Sequence, residues 1–219
     1  MQTVVNAFHT AVSAKREDIF VDDRLTPISA VQDGATPAPG WVGKSWKSGG
    51  TVLMAINPGG GGDNYRVNPT DARLYGLIRN FRDATSEEER AVGLRELSDA
   101  WIQIQASHNI RRIIDAIFTA LGTNAHQTAF LNVLPFRTRE DRPARKAELR
   151  RAWEGVTKHQ VAALAPRRII ALGCKAYDAL LAAGADEQCE IVLLKRAIGD
   201  SRVTAHAQGV LEKLPYEDQ

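Results

Sequence analysis

Residues 49–65 read GGTVLMAINPGGGGDNY, and this stretch decides the fold. The apolar run over residues 51–56 is typical of a buried β-strand, and Asn-Pro-Gly followed by three further glycines ends it abruptly. Buried strands of open parallel sheets present their carboxyl ends to a ligand crevice. Glycines at such an edge let backbone N–H groups approach a ligand, because no Cβ stands in the way. Asn57 is therefore the polar side chain that the sequence places at the crevice.

Strands and helices alternate along the rest of the chain. Further strands are predicted over residues 128–134, 168–172 and 190–195, and helical patterns cover residues 4–15, 70–81, 87–105, 107–121, 143–164, 173–183 and 203–214. This alternation predicts a three-layer α/β/α sandwich around a central, mostly parallel four-stranded sheet. No linker or internal repeat interrupts it, so we expect a single domain over residues 1–219. Within it, residues 1–48 are expected to form an N-terminal helix and an irregular wrap.

Composition excludes several classes of protein. The chain has 219 residues, of which 44% are hydrophobic and 25% charged, as in ordinary globular domains. No apolar run approaches about 20 residues, and the N-terminus lacks a signal-peptide core, so no membrane partner is expected. The two cysteines, Cys174 and Cys189, and the five histidines have no metal-ligand spacing. We therefore expect no metal, no cofactor and a cytoplasmic, reducing location.

Positive charge is concentrated in one segment. The formal net charge is only +2, but residues 137–151 contain seven basic residues and three acidic ones. A local basic surface attracts phosphates even when the whole protein is nearly neutral. The alternative is an ordinary solvated helix face.

Three other sequence motifs that would indicate a function do not match this chain. A dinucleotide loop over residues 59–64 fails, because Asn64 stands where the last glycine of G-x-G-x-x-G belongs and no acidic residue follows at the required distance. Gly43-Lys44-Ser45 imitates the end of a P-loop, but Ala38 occupies the position of its leading glycine. No G-x-S-x-G elbow is present, so α/β-hydrolase chemistry is unsupported.

Three strand ends carry polar groups: Asn57 after the first strand, Asn132 in the second, and residues 195–200 after the last. In a parallel sheet all three converge on one edge. Asparagine offers one acceptor and two donor hydrogens, which match the edge of a nucleobase or an amide. The alternative is that each asparagine only caps a turn.

These residues resemble the uracil-DNA glycosylase superfamily. Ile56-Asn57-Pro58-Gly59 looks like the G-[IM]-N-P-G motif of its mismatch-specific and single-strand-selective branches. Ala129-Phe130-Leu131-Asn132-Val133 resembles the strand that carries the pyrimidine-reading asparagine, and residues 164–173, LAPRRIIALG, are similar to the P-x-x-I-x-x-L-G strand that follows. Order and spacing agree over residues 51–214, whereas residues 1–48 contribute nothing.

The resemblance implies a monomeric glycosylase that needs no metal or cofactor and removes uracil from DNA by hydrolysis. Asn57 would orient a water molecule, and Asn132 would read the Watson–Crick edge of the flipped base. Arg196 would face the leaving base or a phosphate. Pro58 and Gly59 would line the pocket. Tyr65 would stack on the base, with Tyr75 as the alternative and a plain surface role for Tyr65 left open. The residues expected to hold DNA are Arg137, Arg139, Arg142 and Ser201.

Three departures from the family pattern matter. Gly59 stands where the strictly uracil-specific branch has a tyrosine that bars a 5-methyl group, so thymine exclusion is looser here or is enforced elsewhere. The His-Pro-Ser loop after the last strand is absent, and residues 195–201 take its place. The iron–sulfur branch of the family has four cysteine ligands, so a chain with only two cysteines does not belong to that branch. Two other functions stay open: a non-catalytic binder of uracil-containing or single-stranded DNA, and an enzyme acting on free nucleosides or nucleotides.

Overall fold

The computed structural model describes residues 1–21, 36–59, 69–138, 142–196 and 202–214. Within this part of the chain, five strands form one sheet in the spatial order β1-β3-β2-β4-β5. The strands are β1 (Trp41–Val42), β2 (Thr51–Ala55), β3 (Ala129–Asn132), β4 (Arg168–Leu172) and β5 (Glu190–Leu194). β1 runs antiparallel to β3, and the other neighbouring strands are parallel. The prediction of a mostly parallel α/β fold is confirmed.

The predicted number of four strands is wrong, because β1 lies in the segment expected to be irregular. Two residues are too few to produce an alternating pattern that the sequence could reveal. Gly40, with φ +84°, leads into β1, and a Cβ on it would collide with the Phe130 carbonyl. Trp41 stacks on Phe130 at 6.1 Å between ring centroids and donates its Nε1–H to Gln105 Oε1 at 3.0 Å. Tertiary packing, more than local propensity, thus adds this edge strand.

The helices are α1 (Gln2–Val12), α2 (Arg16–Ile19), α3 (Pro69–Asp83), α4 (Glu87–Gln105), α5 (Arg111–Leu121), α6 (Lys146–Ala152), α7 (Lys158–Leu164), α8 (Cys174–Ala182) and α9 (Ala205–Leu211). A capping box at Ser86 begins α4, and Gly122 ends α5 in the left-handed conformation at φ 62°. The Ser107 hydroxyl donates to Ile104 O at the end of α4.

The predicted long helix over residues 143–164 is interrupted. α6 begins three residues later than predicted, where the Arg145 backbone N–H donates to the Glu148 carboxylate at 2.8 Å. A π-helical turn, Trp153–Thr157, then joins α6 to α7. π turns often occur at functional sites, because their extra residue re-aims a side chain.

Most of the core lies around the sheet, where β2, β3 and β4 are buried along their whole length. A second, smaller cluster lies beside the segment that follows β3. Its buried members are Ala11, Ile19, Phe20, Leu134, Phe136, Ala152 and Val156. It joins α1, α2 and α6 to residues 134–136, and so fixes the path of the chain just beyond the end of β3. In the described ranges, no helix combines the length and apolar character that crossing a membrane requires.

Candidate active site

The carboxyl edge of the sheet brings two asparagines to neighbouring strands. Asn132 is the last residue of β3 and pairs in register with Ala55, the last residue of β2. Pairing continues beyond the strands, because Leu134 N donates to Ile56 O at 2.9 Å. Asn57 follows directly after Ile56. The two asparagines therefore lie on neighbouring strands at one edge, two register positions apart.

The Asn57 amide is oriented by its surroundings. It is partly buried, and its Nδ2 donates to Pro58 O at 3.2 Å and to Thr138 Oγ1 at 3.4 Å. Thr138 is itself fully buried. No residue in the described segments donates a hydrogen bond to Asn57 Oδ1. The nitrogen thus faces Pro58 and Thr138, and the carbonyl oxygen lies on the other side of the amide.

Asn132 differs in its degree of burial. Its side chain is 3% exposed, and among the described residues its Nδ2 has no hydrogen-bond partner. A buried donor that lacks a partner typically costs about 1–3 kcal/mol. Buried polar groups without partners are rare, and each requires an explanation. A ligand that accepts a hydrogen bond from Nδ2 would explain this unpartnered donor.

Thr157 anchors the end of β3 from the π turn. Its hydroxyl lies 3.2 Å from Asn132 O and 3.0 Å from Val133 O, and it donates to these carbonyls. The π turn therefore ties α7 to the backbone that carries Asn132. Sequence reasoning missed Thr157, although Gly155 inside a helical pattern was a signal of local irregularity.

Arg196 lies two residues beyond β5 and reaches across to β4. Its Nε donates to Leu172 O at 3.3 Å, next to Gly173, where φ is +109°. A Cβ at Gly173 would lie 4.0 Å from this Nε. Burial lowers the pKa of the Arg196 guanidinium. The cation is therefore partly desolvated and held one strand away from β2.

A bridge with Val203 and a capping residue fix the backbone around Arg196. Arg196 and Val203 form an isolated antiparallel bridge. The Thr204 hydroxyl donates to Lys195 O at 2.9 Å and accepts from Ala207 N, which caps α9. The described residues on both sides of 197–201 are thereby held in place.

The remaining predicted residues are divided among several environments. Arg137 is 7% exposed, and its guanidinium lies 5.4 Å from the centroid of the Tyr75 ring, which is 1% exposed. Arg137 is thus packed inside the protein, away from the exposed basic surface. Arg142 is exposed, Pro58 is partly buried, and Gly59 is exposed with open space around it. Tyr65, Arg139 and Ser201 lie outside the described residues.

Within the ranges that the structure describes, no three His, Cys, Asp or Glu side chains are grouped closely enough to hold a metal ion. Both cysteines have free thiols; Cys174 is exposed and Cys189 is partly buried. The candidate site therefore consists of amides, a guanidinium and hydroxyl groups.

No protein-family model matches this chain, and no curated protein matches it.

Proposed function

We propose that this protein is a DNA glycosylase that hydrolyses the N-glycosidic bond of uracil in DNA and leaves an abasic site. The observation that carries the proposal is the buried, unpartnered Asn132 Nδ2 on the strand next to Asn57. Glycosylases extrude the target nucleotide and read its Watson–Crick edge inside a pocket. A carboxamide with an unused donor is suited to that task.

Asn132 reads the base in this proposal. Its Nδ2–H donates to uracil O4, and its Oδ1 accepts from uracil N3–H. Cytosine reverses both groups, since it offers a donor at N4 and an acceptor at N3. Discrimination therefore requires a fixed amide. The bonds from Thr157 to the Asn132 and Val133 carbonyls hold the backbone from which that amide projects.

Asn57 positions the attacking water. An amide does not titrate, so Asn57 orients water without removing its proton. Its Nδ2 is engaged by Pro58 and Thr138, which leaves Oδ1 as the acceptor for water. The water oxygen bonds to C1′ as the C1′–N1 bond breaks, the bonding electrons leave with uracil, and the water proton passes to solvent.

Arg196 stabilises the departing base. Bond cleavage places negative charge on uracil, and a preorganised cation in a partly desolvated site stabilises such charge more strongly than it would in water. Burial lowers the pKa of Arg196, yet arginine remains protonated in proteins. Since an asparagine cannot act as a base, most of the rate enhancement comes from this leaving-group side.

Gly59 widens the substrate range. Gly59 has no side chain, and a Cβ built on it would meet no atom within 4 Å. In this proposal no side chain at that position bars a substituent at C5 of the pyrimidine. We therefore expect thymine and other 5-substituted uracils in mismatches to be excised at a measurable rate. In this proposal the chain acts on DNA as a monomeric, single-domain α/β/α sandwich in the cytoplasm, where its free thiols stay reduced.

A glycosylase assay tests the proposal. Duplex and single-stranded oligonucleotides with one uracil are incubated with protein and then heated in alkali, which cleaves abasic sites. We expect time-dependent cleavage at uracil, slower cleavage at mismatched thymine, and none at cytosine. Tight DNA binding without cleavage would reject catalysis and favour the non-catalytic binder. Turnover of free nucleosides without DNA affinity would favour the nucleoside enzyme.

A further inference from the structure

The direction of the interrupted helix places α6 beyond the site. Thr157 touches the carboxyl end of β3, whereas Ala165, just after α7, accepts from Gly49 N at 2.8 Å before the start of β2. α7 therefore runs from the carboxyl edge of the sheet to the amino edge. α6 precedes Thr157, so it projects beyond the carboxyl edge. At 1.5 Å per residue, Arg150 lies about 10 Å further along the helix than Thr157.

This projecting segment carries a row of exposed cations. They are Arg142, Arg145, Lys146, Arg150 and Arg151, and we call them the α6 cationic face. Of the described acids nearby, Glu148 is fully buried and accepts from Arg145 N, and Glu154, which also lies on this face, accepts from Lys158 at 3.0 Å. Among the described residues, exposed cations therefore outnumber exposed acids on this face, although the whole chain carries only +2.

The α6 cationic face is shaped as well as charged. A groove of about 470 Å³ runs along it, lined by Lys146, Ala147, Arg150, Arg151 and Glu154. Arg151 is held in place, because its Nη1 donates to Ile19 O at 3.2 Å. Lys146 and Arg150 stand four residues apart and so point to the same side of α6.

We propose that the α6 cationic face binds backbone phosphates of duplex DNA beside the target nucleotide. The choice of DNA rests on the proposed function, while the face itself rests on charge and geometry. One DNA strand carries a phosphate every 3.4 Å or so along the axis, so the 10 Å offset from Thr157 corresponds to about three nucleotides. The contacts are independent of sequence and position the duplex, while the carboxyl-edge site reads the base.

The test compares two double variants of equal charge change. Lys146→Gln/Arg150→Gln neutralises the α6 cationic face, whereas Lys44→Gln/Lys47→Gln neutralises two exposed lysines that precede β2, at the opposite edge of the sheet. Binding to a uracil-free duplex is measured by fluorescence anisotropy over a range of salt concentrations. We expect the slope of log K against log salt to fall in magnitude by about 2 for the α6 variant and to stay unchanged for the control.

The outcomes separate the possibilities. A conservative pair, Lys146→Arg/Arg150→Lys, should keep the wild-type slope, and thermal melting checks that each variant is folded. Equal losses in both neutralised variants would mean that only net charge matters and would overturn the proposal. So would an unchanged slope in the α6 variant, no duplex binding by the wild type at low salt, or tighter binding to duplex RNA or anionic vesicles through the same residues.

These measurements use no uracil and no turnover. A protein that binds DNA through the α6 cationic face but excises nothing would reject the proposed glycosylase while keeping this inference. A protein that excises uracil but fails the salt-slope test would support the proposed glycosylase and reject the binding role of the α6 cationic face.

Discussion

Asn57 and Asn132 lie at the ends of neighbouring strands, but they differ in burial and in hydrogen bonding. Asn57 is partly buried, and its nitrogen is bound to Pro58 and Thr138. Asn132 is buried, its backbone carbonyl accepts from Thr157, and its amide nitrogen lacks a partner within the described ranges. Asn57 is held through its side-chain amide, whereas Asn132 is held through its backbone carbonyl.

The difference separates two chemical tasks. An amide with an engaged nitrogen and an available oxygen is prepared to accept from water, which suits a reacting centre. A buried amide with an unused donor is prepared to recognise a complementary edge, and the protein bears its desolvation cost while no ligand is bound. Four substitutions test this division, from the largest expected effect to the smallest.

The largest effect is expected at Asn57. Asn57→Ala removes the oxygen that orients water, so excision should fall by about 100-fold or more, while DNA affinity stays within about twofold. Single-turnover rates and anisotropy measure the two quantities. Asn124→Ala is the matched control, since Asn124 lies before the amino end of β3 and its amide bonds only within its own turn, to His126 and Gln127. If Asn57→Ala excises uracil at the wild-type rate, the role of Asn57 is wrong.

Asn132→Leu tests the recognition half of the comparison. Leucine has a similar volume but no donor, so uracil excision should fall by about 10- to 100-fold as two hydrogen bonds are lost. Removing a buried donor that has no partner should leave the free energy of unfolding unchanged or raise it by about 1 kcal/mol. Chemical denaturation measures the second effect. A loss of more than about 2 kcal/mol would indicate that the amide has a structural partner and would break the distinction.

Thr157 tests whether the backbone of Asn132 must be held. Thr157→Val keeps the shape but leaves the Asn132 and Val133 carbonyls without their donor, so stability should fall by about 1–2 kcal/mol. Excision should fall several-fold, with a relative gain for cytosine over uracil as the amide loosens. Thr157→Ser retains the hydroxyl and should restore the preference for uracil. Loss of stability without any change in base preference would make Thr157 purely structural.

Glu89 lies away from the candidate site and serves as a control position. Hydrogen bonds from the backbone of Ser86 and Thr85 lower the pKa of Glu89 from its usual 4.5 to about 2. The folded pKa is depressed, so the carboxylate contributes stability above pH 4.5, and this contribution is lost as the pH falls from 4.5 towards 2. Glu89→Gln should flatten that part of the stability profile, as followed by circular dichroism, and leave excision per folded molecule unchanged. If Glu89→Gln changes the rate of excision, Glu89 cannot serve as a control position for the substitutions at Asn57 and Asn132.

Strand ends could be placed from the sequence because local signals mark them. The apolar run before Asn57 and the one that includes Asn132 both lead to the carboxyl edge, and the S-x-x-E pattern at Ser86 marks the start of α4. Parallel order then brings distant strand ends together without any knowledge of side-chain contacts. This much of the site follows from periodicity and topology alone.

Contacts between distant segments could not be predicted in this way. Thr138 lies 81 residues from Asn57 along the chain, and the hydrogen bond between them depends on the path of residues 133–138 past the second core cluster. The burial of Arg137 against Tyr75 likewise depends on tertiary packing, so a basic run in the sequence did not reveal which cations remain outside. Thr157 escaped notice because a π turn has no strong signature of its own.

The π turn also sets the angular phase between the two halves of the interrupted helix. One surplus residue rotates everything before it by about 100° relative to an uninterrupted α-helix. Gly155 lies within that turn with open space where a Cβ would be, whereas Ala152 and Val156 on either side of it are buried in the second core cluster. A one-residue deletion there would swing α6 more than a quarter of the way around its axis while leaving α7 seated. The alignment of the proposed base-reading site with the α6 cationic face could thus be changed by deleting a single residue.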